Sequence, residues 1–164
     1  MALIAFTTFA DIRSVIGLTT EELPDTDLQL ETYLFGLEAA LDAISPNLVV
    51  AYVSAASAIS ASTETTTQKT LYRATRLFAV AQVGLAVAYS LPMRAQKAIT
   101  DGKAGLSRFT DSPFRDTLEN LQGLLASAQT NLATAYAASV GGIVTATLPS
   151  FMSVVSPAVD PVTG

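Results

Sequence analysis

Neither cysteine nor histidine occurs anywhere in this chain of 164 residues. Without cysteine there are no disulfides, no thiolate nucleophiles and no cysteine-held metals. Without histidine the commonest general base and the commonest metal ligand are missing. Enzyme chemistry would have to run on paired carboxylates or a Ser–Lys couple, so no enzyme activity, catalytic residue, metal or cofactor is expected. Charge is scarce as well: 14% of residues are charged against 50% hydrophobic, and mean hydropathy is +0.43. A soluble monomer is normally less apolar, so either partners cover much of the surface or a segment enters a membrane. The net charge of −5 and pI near 4.5 disfavour phosphate-backbone binding as the main activity. The length suits one domain with a single core.

The opening MALIAFTTFADIR has no basic residue ahead of its short apolar run, so no secretory signal is expected. Two long uncharged runs stand out, Ala43–Thr63 and Leu77–Met93. Pro46, Asn47 and several serines interrupt the first. The second holds Gln82 and Ser90 and stops at Pro92, short of a comfortable span. Both read as buried in protein, and no membrane association is expected.

Helix signals follow one another along the chain. Thr8 with Asp11 starts a short helix, and Gly17 is its natural stop. After the turn-rich LTTEELPDTD, Asp25 is placed to cap a second helix over about Thr26 to Ile44. Its apolar stripe is Leu30, Tyr33, Leu34, Leu37, Leu41 and Ile44. Ser45-Pro46-Asn47 ends it. Leu48 to Ser60, rich in Val, Ala and Ser, favours helix over strand. A threonine-rich loop leads to a helix opening near Thr67 and running to about Leu91. That helix is apolar almost all round from Leu77 onwards, which places it at the centre of a bundle. Ser112-Pro113 starts the last helix, to about Ala138, with the stripe Phe114, Leu118, Leu121, Leu125, Ala128, Leu132, Ala135.

Between the last two helices lies ITDGKAGLSRFTDSP, which has no helical pattern. Gly102 and Gly105 frame Lys103, and Leu106-Ser107-Arg108-Phe109-Thr110 alternates apolar and polar, a turn followed by a short strand. After Gly141-Gly142 the chain becomes IVTATLPSFMSVVSPAVDPVTG, apolar, β-branched and rich in proline. Disordered tails are normally more polar than this, so Ile143, Val144, Leu148, Phe151, Met152, Val154 and Val155 are expected to dock on another protein, the alternative being a tail folded back over its own core. The expected class is therefore mainly α. It is a helical bundle of about four to five helices over residues 1–140, with a short β turn-strand insertion before the last long helix. An extended C-terminal tail over residues 141–164 completes it.

Motifs with a mechanism behind them do not appear. There is no G-x-S-x-G elbow, and DGKAG lacks the upstream glycine and following Ser/Thr of a Walker A loop. A calcium loop opening at Asp25-x-Asp27 fails, with Leu30 where glycine belongs and Gly36 where glutamate belongs. One charge pattern does stand out. Glu31, Glu38 and Asp42 share a helix face, and so do Lys69, Arg73 and Arg76. Cations near a helix N-terminus oppose its dipole, so some other interaction must favour them. Either these are solvated faces with internal pairs, or acidic and basic faces meet between neighbouring subunits around a closed ring.

The stretch Phe9 to Leu41 resembles the opening of tailed-bacteriophage head–tail connector proteins, the adaptor or head-completion proteins that bind under the portal. The resemblance rests on Gly17-Leu18-Thr19, then Glu22-Leu23-Pro24-Asp25, then a long amphipathic helix. ITDGKAGLSRF is similar to the turn-and-strand insertion such proteins carry before their last long helix, and DPVTG is similar to many phage structural-protein ends. The long Ala/Ser/Thr-rich middle, Leu48 to Thr67, departs from the smaller members. The resemblance implies a structural virion protein of the neck, made in the host cytoplasm. It would form a homo-oligomeric ring, a dodecamer matching the portal's symmetry. It would bind the portal protein through its C-terminal tail and offer a docking surface to the tail or next neck protein. DNA would pass through its channel without sequence-specific binding. Asp101, Gly102, Lys103, Gly105 and Arg108 would then form a loop near the channel or the neighbouring subunit, the alternative being a plain connector between helices. A tail-completion protein of the same neck and a membrane-active, holin-like helical protein are the competing readings.

Overall fold

The computed structural model describes residues 2–94, 98–101, 104–107 and 115–141, with 91–94, 98–101 and 104–107 described as backbone only. A 3-10 turn, Leu3–Ala5, leads into helix α1, Phe9–Ile16. The Thr8 hydroxyl accepts the N–H of Asp11 at 3.1 Å, and Gly17 closes the helix at φ 77. Its N–H and that of Leu18 both donate to the Arg13 carbonyl. The expected cap and stop are thus both formed, each by groups within one turn of the helix end.

The expected single helix from Thr26 to Ile44 is two helices, α2 at Asp25–Leu28 and α3 at Glu31–Ile44. Asp25 is not a cap. It is the first residue of α2, and its carboxylate binds the Arg13 guanidinium of α1. The break has a packing reason. Leu28 and Leu37 are both fully buried, yet on one continuous helix they would lie half a turn out of phase. Interrupting the helix at Gln29 and Leu30 lets both point inward. Leu30 is 52% exposed and leads into α3 instead of joining its apolar stripe. Leu37 and Leu41 of that stripe are buried, and Tyr33, Leu34 and Ile44 pack against the same core.

Helix α4, Leu48–Ser60, follows the Ser45-Pro46-Asn47 break and buries Leu48, Tyr52 and Ala55 on one side. It ends with Ser62 in the left-handed region at φ 55 and Thr63 N–H returning to the Ala58 carbonyl at 2.9 Å. A reciprocal box opens α5: the Thr65 N–H donates to Gln68 Oε1 at 2.9 Å, and the Gln68 N–H to Thr65 Oγ1 at 3.3 Å.

Helix α5, Thr66–Arg94, is the centre of the bundle and packs against α1, α3, α4 and the last helix. It continues past the expected end at Leu91 and through Pro92. Proline lacks the N–H that would donate to the Ala88 carbonyl, so the helix runs on there with one bond fewer. Its buried side changes along its length. Leu71, Thr75, Phe78 and Ala79 face inward in the first half, and Val83, Gly84, Val87 and Ala88 in the second. At Gly84 α1 comes close: a Cβ there would lie 2.9 Å from Val15 Cγ1.

Beyond α5, the backbone of β1, Ala98–Asp101, runs antiparallel to β2, Ala104–Ser107, with Ile99 opposite Leu106. The run expected to be a strand, Leu106 to Thr110, falls partly on β2, and its residues 108–110 lie outside the described residues. Helix α6, Arg115–Val140, closes the bundle and ends at Gly141, φ 67. Of its expected stripe Leu121, Ala128, Leu132 and Ala135 are buried, joined by Tyr136. Phe114 and the Ser112-Pro113 start lie outside the described residues. The described α-helices number six, one more than expected, and the extra one is α2. The chain is mainly α, a helical bundle.

Candidate interaction surfaces

Three aromatic rings tie the N-terminus to the bundle. Phe6 stacks on Tyr52 at 5.1 Å between ring centres, and Tyr52 lies parallel to Tyr72 at 5.4 Å. The Tyr52 hydroxyl donates to the Ala5 carbonyl at 2.6 Å. Burial, and secondarily Tyr72, push the Tyr52 pKa up to about 12, while Arg76 pulls the other way. Beside this stack an open groove of about 650 Å³ is lined by Ala5, Tyr52, Val53, Ala56, Ser57, Ser60 and Ala61. Its lining has no carboxylate or amine, so it offers no acid–base pair.

The charged faces are more informative. Glu31, Glu38 and Asp42 do share the outer face of α3, with Phe35 among them and 58% exposed. Among the described residues none of these three carboxylates has an ion-pair partner. Lys69, Arg73 and Arg76, the cations sharing one face of α5, divide. Lys69 Nζ lies 3.4 Å from Glu64 Oε1, and Glu64's own backbone and then Lys69 hold that carboxyl below its usual range. Arg76 turns to α1, with Nη2 donating to Asp11 Oδ2 at 3.2 Å and Nη1 to the Tyr72 hydroxyl at 3.3 Å. Burial opposes the Arg76 charge, but the bond to Tyr72 and the nearby Tyr72 and Asp11 outweigh it and raise its pKa. These contacts supply the interaction that cations near the start of α5 require against the dipole. Of these three only Arg73 stays exposed with no partner among the described residues, one turn before Leu77, which is 41% exposed.

The remaining candidates are placed only in part. Asp101 ends β1 and Gly105 lies on β2, both as backbone. Gly102, Lys103 and Arg108 lie outside the described residues, as do Ile143, Val144, Leu148, Phe151, Met152, Val154 and Val155 of the tail. Sequence reasoning overlooked Phe35 and Leu77. Each was legible as an apolar residue on a charged face, since Phe35 follows Glu31 by one turn and Leu77 follows Arg73 by one turn. The Arg13–Asp25 pair and the aromatic stack had no signal of this kind.

Among the described residues no three acidic side chains come together to hold a metal ion. Nor is any single helix there long and apolar enough to cross a membrane. Helices α3 and α4 together pass on length and composition, but they bend by 103° at their junction. No family model matches the chain, and no curated protein and no solved structure matches it.

Proposed function

We propose that this chain is a structural virion protein, a head–tail adaptor that assembles as a ring beneath a phage portal. The ring extends the DNA channel and presents a docking surface to the tail. The observation that carries this reading is the uncovered outer surface of the bundle. Ile4, Phe35, Val50 and Leu77 are more than two-fifths exposed, and Phe35 and Leu77 share helix faces with carboxylates and an arginine that have no ion-pair partner among the described residues. That surface suits a protein whose neighbours complete it. The order of elements from Thr8 to Asp42 adds support: a capped helix, a clamped turn and, after the short α2, the amphipathic α3. The position one ring further down the neck, that of a tail-completion protein, accounts for the same features.

Isolated chain is expected to be monomeric or weakly associated and to form its ring on the portal. Co-sedimentation of purified chain with portal rings, followed by reconstruction of the complex, tests this directly. Full-length chain should bind with one copy per portal subunit, and chain truncated after Gly142 should remain helical but fail to bind. A twofold-symmetric stable dimer in native mass spectrometry, or no binding to portal, would overturn the adaptor reading.

A further inference from the structure

We infer that copies of this chain meet head to tail, the α3 face of one copy seated on the Arg73–Leu77 face of α5 in the next. Glu31, Phe35, Glu38 and Asp42 follow one another at helical spacing, so they form one ridge with an aromatic ring among carboxylates. On α5 the unpaired Arg73 stands one turn ahead of the exposed Leu77, with Lys69, already paired to Glu64, one turn before it. The two ridges are complementary in charge, and each carries one apolar group to bury. Arg76 takes no part, because its guanidinium is already committed to Asp11 and Tyr72.

The occupant follows from where the two halves sit. Both belong to the same chain, yet no ion pair joins the α3 carboxylates to Arg73 within it. A second copy supplies the missing half on each side. Because the faces differ, the contact is heterologous: it leaves one α3 face and one α5 face open at the ends and so propagates or closes. Two short ridges cover less than a standing dimer needs, so a single contact is weak and several in series hold. This inference rests on the assembly reading for the ring such contacts would close into, and it specifies the contact.

A chain without cysteine makes the test clean. Full-length E38C and R73C variants, checked for unchanged helicity by circular dichroism, are treated with a short bismaleimide separately and as an equimolar mixture. Mixed dimers should form only in the mixture. Adding 0.5 M salt should suppress them, and placing R73E in the E38C partner should leave this contact intact. Charge reversal is then applied at the contact itself: E38K alone and R73E alone should each lose self-association about tenfold by sedimentation at high concentration. Mixing those two variants should restore it, because each then offers the face the other lacks. Cross-links within the E38C sample alone, no mixed dimer at millimolar chain, or no recovery on mixing would each overturn the contact. Head-to-tail cross-links in a chain that ignores portal rings would keep the contact and remove the neck assignment. Portal binding without mixed dimers would do the reverse.

Discussion

Arg13 and Asp25 hold the entry of α2 in place: both terminal guanidinium nitrogens donate to one carboxylate oxygen, at 2.6 and 2.7 Å. The same Nη1 also donates to the Leu23 carbonyl at 3.0 Å. Between them, Thr19 and Glu22 close a reciprocal box, with the Thr19 N–H and hydroxyl donating to Glu22 Oε2 at 2.9 and 3.0 Å. The turn that joins α1 to α2 is therefore bonded from inside and from outside, and buried Leu23 and Leu28 anchor it to the core. Replacing Arg13 with methionine keeps the apolar stem but removes three bonds. It should lower stability by about 1–2 kcal/mol, given the partial exposure of Asp25. Asp25→Asn should cost less, because the Leu23 bond survives. Thermal melting of both variants checks the order, and a larger loss for Asp25→Asn would show that the Leu23 bond contributes little.

Gly84 should resist even alanine. Alanine would gain about 1 kcal/mol in helix propensity, but a Cβ there meets Val15 Cγ1 at 2.9 Å, so the β-branched Val15 side chain must shift. Overpacking of this kind costs about 1–3 kcal/mol, so the net effect should be a loss of about 1 kcal/mol. Pairing Gly84→Ala with Val15→Ala should recover part of it. Additive losses in the double variant would mean the two helices do not touch there.

Stability at high pH should depend on Tyr52. Its pKa rises from 10.0 to about 12 on folding, mainly through burial, so above pH 10 the unfolded chain releases this proton first. The contribution is whole below pH 10 and declines as pH rises towards 12. Tyr52→Phe removes the bond to Ala5 and should cost about 1–2 kcal/mol at neutral pH. It should also flatten the alkaline limb, so the gap between variant and parent narrows from pH 10 upward. Urea denaturation at several pH values reads the gap directly, and a constant gap would refute the assignment.

Ser62 closes α4 in a conformation that favours glycine, with φ 55. Ser62→Gly relieves that cost and should raise stability by about 0.5–1 kcal/mol, with no change in helicity. A lower melting temperature would mean that the serine side chain supports the turn.

Local order was determined by the sequence alone. The Thr8 cap, the Gly17 stop, the Ser45-Pro46-Asn47 break and the Leu121, Ala128, Leu132 and Ala135 part of the α6 stripe formed where the residues indicated, because each depends on local spacing or on groups within about a turn of one another. The central position of α5 was likewise legible, since a helix apolar on most sides must be surrounded. Only the tertiary structure decided the rest. Asp25 reads as a cap until Arg13 reaches it across the turn, and the helix after it reads as continuous until Leu28 and Leu37 are both required inside. Lys69 and Arg76 read as equals of Arg73 until Glu64 and Asp11 arrive beside them, leaving one arginine facing outward. Phe6, Tyr52 and Tyr72 come from three separate segments, and no spacing announces that their rings will stack. In each case the deciding partner lies on another segment, and a charge or ring takes its role from whichever group folding brings against it.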